Sequence, residues 1–191
     1  MAREKVFNQD TVVKKCIDLF AKNGYGSTGI QEIVNTTGIN RSSLYATFKG
    51  KEELFFTCIK KVIQDDIAAM EVLFKKNKSP VKFLNAYLGI VTKEKPAYHL
   101  LKHANAEFLL LNKKTQSAIN THYQWKIVFI GSILNHGQKI GKFTKKIESK
   151  DITAILELIV HSIALISPLA NSEKMYKKSI TQFSMLIQKK K

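Results

Sequence analysis

Arg41 and the side chains next to it have the chemistry of a group that recognises nucleic acid. The chain has 31 lysines and arginines, and only Arg3 and Arg41 are arginines. A guanidinium presents a planar set of donors that can hold a phosphate or the edge of a guanine with two parallel hydrogen bonds. Ser42 and Ser43 add short hydroxyl groups, and Tyr45 lies one helical turn later on the same face. The spacing predicts a helix whose first turn reads DNA. Three alternatives stay open. Arg41 contacts only phosphate, one of the two serines only satisfies the helix N-terminus, or Tyr45 is partly buried and braces this helix.

Three further side chains are predicted to contact the phosphate backbone. Thr28 and Lys51 are each expected near the start of a helix, where free backbone N–H groups and the helix dipole favour an anion. Thr28 and Gln31 also have the spacing of a capping box, which would hold the first turn of that helix. Thr47, on the predicted reading helix, is the third candidate. Because phosphate contacts fix position whereas base contacts specify sequence, these residues would orient the segment around Arg41.

The elements that must position these side chains form a helix-turn-helix pattern. Apolar periodicity predicts one helix over residues 29–36 and another over residues 41–47, the second capped by Asn40. Residues 37–39 form the turn between them, where Gly38 can adopt a positive φ at little cost. Two short helices joined by a glycine-containing turn of about three residues are typical of this DNA-binding motif.

The whole chain is predicted to be helical. Its 191 residues include three prolines and nine glycines, and alternating runs of β-branched residues are lacking. Asp10 is expected to cap a first helix that ends near Lys22. The helical period continues through the further predicted helices 51–76, 80–91, 96–111, 115–136, 149–166 and 172–187. The predicted fold class is all-α with about nine helices, comprising a DNA-binding domain over residues 1–50 and a second helical domain over residues 51–191.

The distribution of charge favours an anionic partner but does not locate its binding site. The net charge is +16 and the pI is near 9.8. Residues 1–60 have a net charge of +3, whereas residues 61–191 have one of +13. Most of the lysines are therefore interpreted as solvated helix faces, and the excess charge is not concentrated around Arg41.

Cysteine usage and hydropathy indicate a cytoplasmic protein. Cys16 and Cys58 stand singly in apolar helical patterns, which predicts buried free thiols in a reducing compartment. The N-terminus lacks the apolar segment of a signal peptide. Glu157 and His161 interrupt the most apolar stretch, residues 152–169, so a buried or interface helix is predicted there instead of a membrane span.

A metal site is not expected. His99, His103 and Glu107 have i, i+4, i+8 spacing on one predicted helix, and two histidines at i, i+4 can share a metal ion. No further ligand is evident, so neither a metal nor another cofactor is predicted. A helical metal-dependent enzyme stays an alternative, although the chain has no nucleophile–base constellation and no phosphate-binding loop.

A segment of about 30 residues resembles the N-terminal domain of TetR-family transcriptional regulators; it reads GYGSTGIQEIVNTTGINRSSLYATFKGKEEL. The matching residues are Gly24, Tyr25, Thr28, Ile30, Ile33, Gly38, Ile39, Leu44, Tyr45, Phe48, Lys51, Glu52 and Leu54. The chain departs from residues frequent in the family at Gly29, Val34, Ser42 and Thr47. The resemblance implies a helix-turn-helix domain followed by a helical bundle that binds an effector and dimerises.

The resemblance implies a homodimer that binds double-stranded DNA at a palindromic operator. One helix-turn-helix reads only a few base pairs, so a two-fold symmetric pair is expected. The last two predicted helices have more apolar residues than one buried stripe requires. The predicted dimer interface consists of Ile152, Ile155, Leu156, Ile159, Ile163, Ile166, Phe183 and Leu186.

The resemblance also implies a pocket for a small-molecule effector in the second domain, and a repressor that leaves its operator when the pocket is filled. The candidate lining residues are Tyr87, His99, His103, Phe108, His122, Trp125 and Phe129. A DNA-binding architectural protein without an effector stays an alternative. Sequence preference separates the two, because an architectural protein would bind random DNA almost as well as any one site.

Overall fold

Nine α-helices and one 3₁₀-helix form the regular structure of the residues that the computed structural model describes, which are 7–91, 96–166 and 172–189. The prediction of an all-α fold is confirmed. The elements are α1 Gln9–Asn23, α2 Ile30–Thr37, α3 Arg41–Phe48, α4 Lys51–Lys76, α5 Pro80–Val91, α6 Pro96–Ala106, the 3₁₀-helix Phe108–Leu110, α7 Lys113–Lys139, α8 Ser149–Ile166 and α9 Ser172–Ile187.

The first helix begins earlier than predicted because a different residue caps it. The side chain of Asn8 accepts a hydrogen bond from the backbone N–H of Thr11 at 3.1 Å. The predicted cap at Asp10 is therefore wrong, and this residue lies in the first turn, where a negative charge suits the helix dipole. The helix ends at Asn23, and the C-cap residue Gly24 has a φ of 82°, a value accessible mainly to glycine.

The predicted capping box at the start of α2 is also wrong. The N-cap residue is Gly29, which makes no side-chain capping hydrogen bond. The hydroxyl of Thr28 donates instead to the carbonyl oxygen of Gly24 at 2.6 Å, and its side chain is fully buried. Thr28 therefore holds the loop between α1 and α2 together rather than the first turn of α2.

Helices α6 and α7 differ from their predicted bounds at the segment that joins them. The chain leaves α6 after Ala106 and forms the 3₁₀-helix, although the sequence pattern predicts a helix to residue 111. Asn112 then caps α7 by accepting from the backbone N–H of Thr115 at 2.8 Å, so α7 begins at Lys113. Gly137, which follows the predicted end of this helix at residue 136, lies inside α7, and a Cβ there would overlap the ring of Phe143.

The first compact unit contains residues 1–65 and 95–120, and its core forms around α1. The rings of Phe20 and Tyr25 pack against the ring of Phe55, with centroids 4.9 and 4.8 Å apart. Cys16 and Cys58 are buried free thiols, as predicted, and burial raises the pKa of Cys16 to about 12. These contacts hold α1 against α4 within this unit.

The second compact unit contains residues 66–94 and 121–191. Its core combines apolar side chains from α4, α5, α7, α8 and α9, of which the largest fully buried are Phe83, Phe143, Leu84, Ile130 and Leu134. The two units are not consecutive in the sequence, because α4 and α7 each contribute residues to both. The functional boundary at residue 50 stays a prediction, since compactness does not test which residues bind DNA.

Candidate nucleic-acid interface

Buried side chains on one face hold the helix-turn-helix in place. Ile33 of α2 and Leu44 of α3 are fully buried in the core of the first unit, and Ile39 and Phe48 are nearly so. Between the two helices, Gly38 has a φ of 78° and its N–H donates to a carbonyl at the end of α2. The turn and the buried face therefore fix which side of α3 faces solvent.

The first turn of α3 presents a capped helix end and an exposed cation. As predicted, the side chain of Asn40 caps the helix, accepting from the backbone N–H of Ser43 at 2.7 Å. The hydroxyl of Ser42 donates to the same oxygen at 2.7 Å. Arg41 is exposed and has no hydrogen bond or ion pair with any residue in the described ranges. Its guanidinium thus retains its donors for an outside partner.

The rest of the solvent-facing side of α3 is polar and aromatic. Tyr45 is half exposed, and its ring lies beside Gly50, where an added Cβ would be 3.3 Å from the ring. Thr47 is half-buried. Lys49, which the sequence reasoning passed over, is exposed and ends α3 with a φ of 59°, a conformation that residues other than glycine seldom adopt.

Thr28 and Lys51 occupy different environments from those predicted for phosphate contacts. The hydroxyl of Thr28 is buried and bonded to a carbonyl, so it is not presented to a phosphate. Lys51 begins α4 as predicted, but its ammonium lies 4.3 Å from the centroid of the Tyr25 ring, which is a cation–π contact. Burial lowers the pKa of Lys51, and the nearby charge of Glu107 opposes that shift.

Glu107 has a role that the sequence reasoning missed. Its two carboxylate oxygens accept from the backbone N–H groups of Tyr25 at 2.6 Å and Gly26 at 3.1 Å. These N–H groups belong to the loop between α1 and α2, more than 80 residues away in sequence. The spacing to His99 and His103 suggested only a metal ligand, and no local pattern indicates so distant a partner.

The predicted effector residues fall into both compact units. In the first unit, His99 and His103 are half-buried on α6, and Phe108 packs partly against the core. The other four lie in the second unit, within one series of aromatic contacts. Trp125 stacks on Phe129 at 5.0 Å and on His122 at 6.2 Å.

The second unit also contains a buried ionic cluster around Asp66. Its carboxylate accepts from His122 Nε2 at 3.0 Å and lies 3.5 Å from Lys126 Nζ, and all three side chains are nearly inaccessible to solvent. Burial opposes ionisation of Asp66, but the hydrogen bond from His122 and the charge of Lys126 outweigh it and lower the pKa. His122 is therefore a hydrogen-bond partner of Asp66 as well as a candidate effector residue.

A surface groove of ≈ 550 Å³ runs between α5 and α9. None of the seven predicted effector residues lines it. Its lining residues are Asn85, Leu88, Gly89, Lys177, Ile180, Thr181, Ser184, Met185 and Gln188.

The residues predicted for the dimer interface differ in their exposure to solvent. Ile152, Leu156 and Phe183 are buried in the core of the second unit itself, so they are not presented to a partner. Ile155 and Leu186 are exposed, Ile159 is half-buried, and the side chains of Ile163 and Ile166 lie outside the described residues. Leu158 of α8 and Met175 and Met185 of α9, which the sequence prediction did not include, are also exposed.

Neither a metal cluster nor a membrane-spanning helix is found in the described ranges. No group of three or more histidine, cysteine, aspartate or glutamate side chains there is arranged to hold a metal ion. No helix there combines the length and hydropathy that crossing a membrane requires.

Comparisons with known proteins point to one family of regulators. Residues 13–58 match the family model described as bacterial regulatory proteins, tetR family. The HTH-type transcriptional repressor ComR of Escherichia coli (strain K12) is 34% identical over 90 residues, which are 47% of this chain and 43% of ComR. The HTH-type transcriptional regulator YezE of Bacillus subtilis (strain 168) is 34% identical over 70 residues, 37% of this chain and 36% of YezE. The chain therefore matches less than half the length of these curated relatives.

The likeness to solved structures covers nearly the whole chain. A TetR-family transcriptional regulator from Agrobacterium tumefaciens superposes with a TM-score of 0.88 over 95% of this chain and 97% of the other. The reduced form of NemR from E. coli superposes with a TM-score of 0.82 over 94% and 96%. Their sequence identities of 17% and 15% mean that these likenesses establish the fold alone.

Proposed function

We propose that the chain is a TetR-family regulator, on the match of residues 13–58 to that family's model, and that it acts as a sequence-specific DNA-binding transcriptional regulator. The observation that carries the proposal is the placement of Arg41. It is exposed at the first turn of α3, has no partner among the described residues, and follows a helix end that Asn40 caps. This is the part of a helix-turn-helix that enters the major groove.

The proposed DNA contacts separate into base readout and positioning. Arg41 would hold a guanine through O6 and N7, and Ser42 would exchange its bond to Asn40 for a base or phosphate. Ser43, Tyr45, Thr47 and Lys51, together with the backbone at Thr28, would contact phosphates or thymine methyl groups around it. The first 60 residues have a net charge of only +3, so DNA affinity at this site would depend on the geometry of the contacts as much as on total charge.

The regulator would act in the cytoplasm as a homodimer on a palindromic site. The exposed apolar residues of α8 and α9 are suited to such an interface, because a large exposed apolar surface on a monomer is costly. They are Ile155, Leu158, Met175, Met185 and Leu186. Two-fold packing of these helices would bring two helix-turn-helix domains to the two half-sites of the palindrome.

We further propose repression that a small-molecule effector relieves. ComR, similar over 90 residues, is named a repressor, which supports this sign of regulation. An effector relieves repression only if it binds more tightly to the conformation that does not bind DNA. The aromatic series of the second unit that contains Trp125 and Phe129 is the proposed site of this effector.

The experiment that tests the proposal is selection of bound sequences from a random DNA library with the purified chain. An enriched inverted repeat is expected, with a guanine at one position of each half-site. An architectural protein would give uniformly weak binding without an enriched sequence, and that result would refute the proposal.

A further inference from the structure

Glu157 of α8 is fully buried and lacks one hydrogen-bond partner. Its Oε1 accepts a hydrogen bond from the hydroxyl of Tyr87 at 2.9 Å. Its Oε2, although buried, accepts no hydrogen bond from any residue in the described ranges. Buried polar atoms in proteins nearly always have a partner, and leaving one without costs about 1–3 kcal/mol. Oε2 therefore lacks the donor that a buried carboxylate oxygen normally has.

The nearest ring nitrogen does not fill that place. Nδ1 of His161 lies 4.0 Å from Oε2, which is too far for a hydrogen bond. The same Nδ1 is only 2.7 Å from the backbone carbonyl oxygen of Glu157, one helical turn earlier, so it is already engaged. His161 is 42% exposed and therefore extends from the buried carboxylate to solvent.

A comparison with the other buried carboxylate of this unit shows what Glu157 lacks. Asp66 has both a hydrogen bond from His122 and the charge of Lys126 beside it. Glu157 has a single neutral donor, Tyr87, and no lysine or arginine within ion-pair distance in the described ranges. A buried carboxylate without a cation is unfavourable, so a positively charged donor would complete this site.

Aromatic rings extend from Glu157 on the side of Tyr87. The ring of Tyr87 is parallel to that of Phe83, with centroids 6.2 Å apart. Phe83 contacts Phe129 at 6.1 Å, and Phe129 stacks on Trp125 at 5.0 Å. Such rings favour apolar and aromatic groups, and their faces also attract cations. We call Glu157, Tyr87, Phe83, Phe129 and Trp125 the carboxylate–aromatic cluster.

We infer that the carboxylate–aromatic cluster binds a small organic amine in its protonated form, with Oε2 of Glu157 accepting a hydrogen bond from the ammonium. The aromatic or apolar body of the ligand packs against the rings that begin at Phe83. A charge-assisted bond is roughly twice as strong as a neutral one, so an amine is favoured over an alcohol of the same shape. An anion would meet an uncompensated carboxylate and is disfavoured. Amine binding itself does not depend on the proposed function. Only the further statement that this amine is the effector rests on it.

The test measures binding to the purified, full-length chain without DNA. The probes are 3-phenylpropylamine, 3-phenylpropan-1-ol and 3-phenylpropionate, which differ in charge but share the same ring and chain. Calorimetry gives the affinity, and Trp125, the single tryptophan, gives an independent fluorescence signal. We expect the amine to bind on the order of tenfold more tightly than the alcohol, and the carboxylate to bind most weakly.

Three variants locate the effect. Glu157→Gln keeps the size of the side chain but removes its charge, so the preference for amine over alcohol should disappear. Tyr87→Phe removes the donor to Oε1 and should change the affinity for the amine, although the carboxylate of Glu157 stays in place. Glu71→Gln, an exposed site on α4, is the matched control and should behave as wild type. Circular dichroism checks that each variant folds.

The outcomes separate this inference from the proposed function. Equal binding of amine and alcohol to the wild-type chain, or no amine binding, overturns the inference whether or not Glu157→Gln folds. Retention of the preference in folded Glu157→Gln overturns it as well. Amine binding by a chain that selects no DNA sequence would refute the proposed function alone. Amine binding that leaves the affinity for the selected DNA unchanged would overturn the clause that makes the amine an effector.

Discussion

The carboxylate of Glu107 accepts a hydrogen bond from the backbone N–H of Tyr25 at 2.6 Å. Its second oxygen accepts from Gly26 at 3.1 Å, so one side chain satisfies two neighbouring donors of the loop that leads into α2. A Cβ at Gly24 would come within 2.9 Å of this carboxylate, so glycine permits the close approach. The ammonium of Lys51, the first residue of α4, lies over the Tyr25 ring, so the same loop also contacts the start of α4.

We expect Glu107→Gln to destabilise the first unit and weaken DNA binding without changing the preferred sequence. An amide has one acceptor oxygen and no charge, so at least one charge-assisted hydrogen bond is lost, worth about 1.5–3 kcal/mol. Chemical denaturation measures the loss of unfolding free energy, and titration of the selected DNA measures the affinity. Glu71→Gln is the control, because it makes the same exchange at an exposed site. An unfolding free energy equal to that of the control would show that the two hydrogen bonds contribute nothing.

Arg41→Lys should retain most of the non-specific DNA affinity but lose base preference at one position per half-site. Lysine preserves the charge that phosphates attract, whereas it cannot reproduce two parallel bonds to guanine, which discriminate by about 1–3 kcal/mol. Repeating the sequence selection with the variant measures the effect. Lys14→Arg, at an exposed position of α1, controls for the exchange between the two basic residues. If Arg41→Lys selects the wild-type sequence unchanged, Arg41 contacts only phosphate.

Replacing Asp66 with asparagine should destabilise the second unit by about 3–5 kcal/mol, because it leaves Lys126 buried without its counter-charge. Asp65→Asn is the matched control, since the adjacent carboxylate forms only an exposed pair with Lys61 and should have no measurable effect.

The effect of Asp66 should also depend on pH. Its pKa is lowered in the folded state from the ordinary value of 3.8. The stabilisation is therefore complete above that value and is lost as the pH falls through the lower, folded-state pKa. Denaturation at pH 7 and pH 3 measures the difference between wild type and Asp66→Asn, and the difference should shrink at the lower pH. A difference that grows on acidification would mean that burial outweighs the ion pair.

The sequence predicted the elements whose causes are local and missed the features that depend on distant partners. The cap at Asn40, the glycine turn before it and the start of α4 at Lys51 follow from neighbouring residues, and all three are confirmed. The hydroxyl of Thr28 donates to the carbonyl oxygen of Gly24 and does not cap α2, because the fold of the loop brings that oxygen within 2.6 Å.

The second unit shows the same limit for contacts between elements. Asp66 and His122 are 56 residues apart, so no local spacing predicts their pairing. Apolar periodicity placed both Leu156 and Ile155 at an interface between subunits. A stripe pattern does not distinguish the face that packs in its own unit from the face left exposed, and the structure buries only Leu156.

The proposed dimer gives the last prediction. Leu158 of α8 and Leu186 of α9 are 70% and 77% exposed, so both side chains are accessible to a partner subunit. Burying a leucine contributes about 1.5–3 kcal/mol, so Leu158→Glu and Leu186→Glu should each weaken dimerisation by at least about tenfold. Sedimentation velocity over a range of concentrations measures the change. Leu109→Glu, in the 3₁₀-helix and 90% exposed, is the matched control and should leave the dimer intact. A wild-type chain that sediments as a monomer at micromolar concentration would refute the dimer. If both variants remain dimeric, the interface lies elsewhere than on this face of α8 and α9.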